Sequence, residues 1–142
     1  MEYNADKVRK ISSEMMAALE RLEDLKRLPK DQFLSDPHKI GSAKYSLIVA
    51  IEGAIDLSNH VIVKNGFRTP EDYADTFKVL AERGAFDEEF TKTLSQMARF
   101  RNRLVHIYWE IDNDELHRLI LSRLEDFRQF LKKFGAFIGR PQ

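Results

Sequence analysis

The chain has 142 residues, 43% hydrophobic and 32% charged, with 23 basic and 23 acidic side chains and no cysteine. These figures describe one globular domain over 1–142 with room for a real core. They exclude disulfides, thiolate catalysis and cysteine-held zinc or iron–sulfur sites, and a formal net charge of zero excludes a generic polyanion binder.

The opening M-E-Y-N-A-D-K has no apolar run of the signal-peptide kind, so cytoplasmic residence is expected. Val8, Ile11, Met15, Ala18, Leu22 and Leu25 then alternate steps of three and four, the seam of a first helix that Pro29 ends. A linker with room for a short turn over Asp31 to Leu34 leads to Asp36-Pro37, an N-cap followed by proline at the first helical position. The second helix is predicted from Pro37 to about Lys64, stopped by Asn65-Gly66. Its middle is apolar on most sides and predicts the central helix of a bundle. The stretch Ser46 to Ile62 is interrupted by Glu52 and Asp56 and reads as too short to span a bilayer, so no membrane partner is expected.

Thr69-Pro70-Glu71-Asp72 predicts a third helix start, with Tyr73, Phe77 and Leu80 turned inward and an end at Arg83-Gly84. Asp87 caps a fourth helix with Phe90, Leu94 and Met97 on its inner face, and Asp112 opens a last one striped by Leu116, Ile120, Leu124, Phe127, Leu131 and Phe134. The expected architecture is an all-α, antiparallel, up-and-down bundle of about five helices. His38 and His117, near helix starts, are expected in solvent, and His60 at a polar edge. Four histidines spread this widely have no metal-ligand spacing, so neither metal nor cofactor is expected.

Chemistry concentrates between Arg99 and Ile111, which reads R-F-R-N-R-L-V-H-I-Y-W-E-I. Arg101 is a fixed cation matched to phosphate oxygens, and His106 exchanges a proton near neutral pH. The seam through Phe90, Leu94 and Met97 continues to Arg101, Leu104 and Tyr108, which places a guanidinium in a core-facing register. Burial there is costly unless the charge is paired. Glu52 and Asp56, one turn apart on the second helix, are the candidate partners, and a plain structural ion pair is an equal reading. Arg101 and His106 are five residues apart, about 140° around an ideal helix. A shared site therefore needs a distorted helix end or a second copy of the chain. Asn102, four residues before His106, lies beside it. Lys92, Arg99, Arg101 and Arg103 have no acidic neighbour from Thr91 to Trp109, which makes Arg99 and Arg103 candidates for RNA binding.

The run R-N-R-L-V-H-I-Y, with A-I-E-G-A-I-D-L-S-N-H-V-I upstream and R-T-P-E-D-Y-A-D-T-F-K-V-L-A-E-R-G between them, closely resembles the HepT family of HEPN-superfamily toxin ribonucleases. The likeness spans nearly the whole chain in order and spacing. It implies an all-helical homodimer that cleaves RNA, a tRNA among the candidate substrates, without a metal. It also implies a cognate MntA-type nucleotidyltransferase antitoxin that transfers AMP from ATP to the motif tyrosine. Arg101 and His106 match the catalytic pair, Tyr108 the modified tyrosine, Asn102 the frequent Arg-Asn start, and Glu52 and Asp56 acidic positions of the second helix. The competing reading is a non-catalytic HEPN module that binds a nucleotidyltransferase or a nucleotide.

Overall fold

Asp36 accepts the His38 and Lys39 amides and Pro37 occupies the first turn, which starts the longest helix of the molecule. A computed structural model of the chain describes residues 1–107 and 110–140. Six helices run in order through it: α1 (Ala5–Lys26), α2 (Lys30–Leu34), α3 (Pro37–Lys64), α4 (Tyr73–Glu82), α5 (Glu88–His106) and α6 (Asn113–Ile138). No strand occurs among the described residues. The turn expected at Asp31 to Leu34 is the short α2, which makes six helices where about five are predicted.

Local chemistry sets most boundaries. Asn4, Asp72, Asp87 and Asp112 each accept a first-turn amide, capping α1, α4, α5 and α6. At the other ends Gly66 and Gly84 have φ of 65° and 87°, which only glycine adopts without strain. Each closes a Schellman motif, with Phe67 N–H donating to the Ile62 carbonyl and Ala85 N–H to that of Leu80. The third predicted start moves: the capping residue is Asp72, so α4 begins at Tyr73 and 69–72 lie outside it.

α3 packs against all five other helices. Ile40, Leu47, Ile51, Ile55, Val61 and Ile62 are buried along it, and Gly53 lies where a Cβ would press into the buried Met15 of α1. By length and composition α3 could cross a membrane, contrary to the sequence expectation, but 67% of its most apolar window is buried within the bundle. Around it one core cluster collects the seam residues of α1, α4, α5 and α6. The rings of Phe77, Phe86 and Phe134 each contact that of Phe130, with centroids 5.5–6.0 Å apart. Each buried Phe contributes about 1.5–3 kcal/mol by leaving water.

Two histidines depart from expectation. His117 is buried, its ring 5.4 Å from that of Phe33, because α2 packs on the start of α6. His60 is buried too, and its Nε2 accepts the Asn4 amide at 2.9 Å, tying the start of α1 to α3. Burial, then the charges of Lys7 and Lys64, hold the His60 imidazole below its ordinary pKa. His38 is exposed, as expected.

Candidate functional site

Helix α5 ends in its own basic last turn, with Arg103 and His106 near the negative end of the dipole and the Ile107 amide donating to the Arg103 carbonyl. One turn earlier, Arg101 points across to α3 and is 13% exposed. Its Nε–H and Nη2–H both donate to Oε1 of Glu52, at 3.0 and 2.7 Å, and its Nη1–H donates to Oδ1 of Asn102 at 3.2 Å. The core-facing register predicted for Arg101 is therefore paired, and of the two candidate carboxylates Glu52 makes the bond. Glu52 itself is 41% exposed, so the pair lies at the edge of the core instead of within it.

Asp56 takes no hydrogen bond from Arg101. It lies one turn further along α3, beside an open cleft of about 650 Å³ lined also by Asn59, Tyr73, Thr76, Asn102 and His106. Its carboxyl is raised above the ordinary range, first by partial desolvation in the surrounding cleft and second by repulsion from Glu52. Asn102 and His106 share this cleft as their four-residue spacing predicts. His106 is exposed. Tyr108, the sequence candidate for modification, lies outside the described residues.

Arg99 and Arg103 line a different groove, of about 280 Å³, with Met97, Phe100, Glu115 and Asp126. Arg103 forms a two-pronged pair with Glu115 of α6 at 2.7 and 3.0 Å, which raises the Arg103 pKa and lowers that of Glu115. The structure thus brings Asn102, Asp56 and His106 together in one cleft, connects Arg101 and Glu52 to it through Asn102 and Tyr73 without placing them in its lining, and directs Arg99 and Arg103 elsewhere.

Periodicity predicts an inward Tyr73, but it is 44% exposed, and its ring centroid lies 4.7 Å from the Arg101 guanidinium carbon. Tyr73 is the first residue of α4, whose Phe77 and Leu80 are buried in the core as expected. The segment before α4 is anchored by Arg68, which reaches Asp75 at 2.7 and 2.9 Å and Glu82 at 2.8 to 3.1 Å. The Arg68 bonds to Asp75, and then the Glu71 amide, pull the Asp75 carboxyl down to about 2. Among the described residues no three His, Asp or Glu side chains converge as metal ligands.

An arginine held by a carboxylate and an amide, with an exposed imidazole further along the same helix of an all-helical bundle, offers groups for binding and protonating a phosphate diester. The HEPN toxin of Shewanella oneidensis, solved in tri-AMPylated form in complex with MNT antitoxin, has the same fold: TM-score 0.85, 25% identity, covering 94% of this chain and 99% of that one. The Ribonuclease HepT-like family model matches residues 15–134, and the chain belongs to this family. It is 32% identical over 113 residues to a putative RNase of Archaeoglobus fulgidus, covering 80% of each chain. It is 30% identical over 105 residues to the mRNA nuclease HepT of Shewanella oneidensis, covering 74% of this chain and 79% of that protein.

Proposed function

We propose that this chain is a metal-independent RNA endonuclease, the toxin of a two-component module, and that Arg101 and His106 carry its chemistry. The observation that supports this reading is the anchoring of Arg101 by Glu52 and Asn102 at the helix end where His106 stands exposed. Cleavage needs the RNA 2′-hydroxyl deprotonated, the charge on the phosphorane stabilised and the leaving 5′-oxygen protonated. The 2′-oxygen attacks phosphorus, the bond to the 5′-oxygen breaks, and the products are a 2′,3′-cyclic phosphate and a 5′-hydroxyl. Arg101 supplies the stationary positive charge for the phosphorane.

One imidazole cannot start the same step both as base and as acid. A two-fold homodimer that brings two His106 and two Arg101 side chains around one cleft supplies both. Residence in the cytoplasm, where RNA is at hand, belongs to the same proposal.

The partner is a minimal nucleotidyltransferase of the MNT type. Its transfer joins the Tyr108 phenol oxygen to the α-phosphorus of ATP and releases pyrophosphate. The added phosphate carries negative charge and bulk to the place where an RNA phosphate would bind, and so repels and occludes it.

The deciding experiment compares RNA cleavage, and growth arrest on expression, for the wild type and His106→Ala. Loss of both in the variant supports the enzyme. Equal behaviour of the two proteins overturns it in favour of a binding module. For the antitoxin, intact mass is measured after incubation with ATP and the cognate nucleotidyltransferase, and an AMP-sized increment that survives Tyr108→Phe rejects the assigned tyrosine.

A further inference from the structure

The reaction above leaves Tyr73 without a task, although the cleft that holds His106 and Asn102 is lined by it and its ring covers the Arg101 guanidinium. Arg101 is constrained unevenly. Both bonds to Glu52 converge on one oxygen, Oε1, and the bond to Asn102 is the longest of the three. A single acceptor oxygen is a pivot about which a planar guanidinium can swing. A ring against the face of that plane removes the swing and adds an attraction between the cation and the π-electrons.

The backbone that carries the ring is itself fixed. Asp72 caps α4 by accepting the Asp75 amide at 2.7 Å, Asp75 accepts the Glu71 amide, and Arg68 binds Asp75. The backbone of Tyr73 therefore starts a fixed helix turn, and an exposed aromatic there is spent on Arg101 and not on the core.

We propose that Tyr73 is a positioning residue: its ring holds the Arg101 guanidinium in the plane from which the N–H groups not given to Glu52 and Asn102 meet an RNA phosphate. This rests on the ribonuclease reading above. Arg101 acts on charge that develops in the transition state, so losing the ring lowers turnover and leaves substrate binding in place.

The test compares Tyr73→Leu and Tyr73→Phe in the full chain, measuring kcat and KM on an RNA oligonucleotide that the wild type cleaves, with thermal melts of each protein. Tyr73→Leu is expected to lower kcat by about two- to fivefold, the change that a cation–π contact of about 0.5–1 kcal/mol corresponds to. KM stays at its wild-type value, the melting temperature falls by no more than a few degrees, and Tyr73→Phe, which keeps the ring, restores both kcat and melting temperature. The Arg101 Nε–H proton resonance, displaced by the ring in the wild type and in Tyr73→Phe, relaxes in Tyr73→Leu.

A rise in KM with kcat unchanged overturns the proposal, because the ring would then touch substrate. Equal loss in Tyr73→Phe and Tyr73→Leu overturns it as well, since the hydroxyl would be the active group. Cleavage that requires His106 but ignores Tyr73 overturns this proposal alone, whereas a wild type that cleaves no RNA overturns the ribonuclease reading with it.

Discussion

Arg101 gives two of its N–H groups to a single oxygen of Glu52, at 3.0 and 2.7 Å, and so joins α5 to the central helix α3 through one carboxylate atom. The guanidinium is the more buried partner and the carboxylate the more exposed.

Removing the carboxylate therefore leaves a largely desolvated cation uncompensated. Glu52→Gln is expected to destabilise the fold by about 1–2 kcal/mol, less than the 3–5 of a fully buried pair because water reaches Glu52. RNA cleavage falls by more than stability alone explains, since Arg101 loses its anchor. Urea unfolding followed by turnover measured far below the unfolding midpoint separates the two effects.

If two copies of His106 share one cleft, mixed dimers report it. Wild-type and His106→Ala chains carrying different tags are co-expressed and the heterodimer purified. Its cleavage rate is expected to drop by about a hundredfold or more, the contribution of one general acid or base. A heterodimer with half the wild-type rate would mean that each chain works alone.

The buried His60 predicts a pH dependence of stability. Its pKa is lower in the folded chain than the ordinary 6.5. Folding therefore favours the neutral ring, and this contribution is complete above the ordinary pKa and lost as pH falls through it toward the folded value. Protonation also removes the acceptor of the Asn4 amide, which frees the start of α1. Melting temperatures from pH 8 to 5 are expected to fall on the acid side for the wild type and to fall less for His60→Gln.

Gly53 predicts a packing penalty. A methyl group there meets Cγ and Sδ of Met15, itself buried between α1 and α3. Gly53→Ala is expected to cost about 1–3 kcal/mol from overpacking, against a gain of under about 1 in helix propensity. A shift of the urea midpoint to lower concentration at unchanged slope checks it.

What the sequence made legible was local. Asp36, Asp87 and Asp112 cap the helices they were expected to cap, because a cap is a bond between a side chain and amides two or three residues away. Asn102 and His106 share a cleft because i and i+4 share a helix face. The need of Arg101 for a carboxylate partner was readable from its register, while the choice of Glu52 over Asp56 depends on how α5 crosses α3. Tyr73 and His117 differ from their expected places for one reason: each meets a residue from another helix, Arg101 and Phe33 respectively. Periodicity tells which side of a helix is apolar; it does not tell where the neighbouring helix ends.

The tie between Arg68, Asp75 and Glu82 has one further consequence. One wall of the cleft is α3, whose position is set by apolar contacts that ionic strength does not screen. The α4 side is fastened at Arg68, a 43% exposed cation, by contacts that added salt weakens. Rising ionic strength thus loosens the polar fastening at the rim of the α4 side, while the buried Phe77 and Leu80 keep the helix itself in place, which makes the ionic medium a local adjustment of the cleft's edge independent of the core.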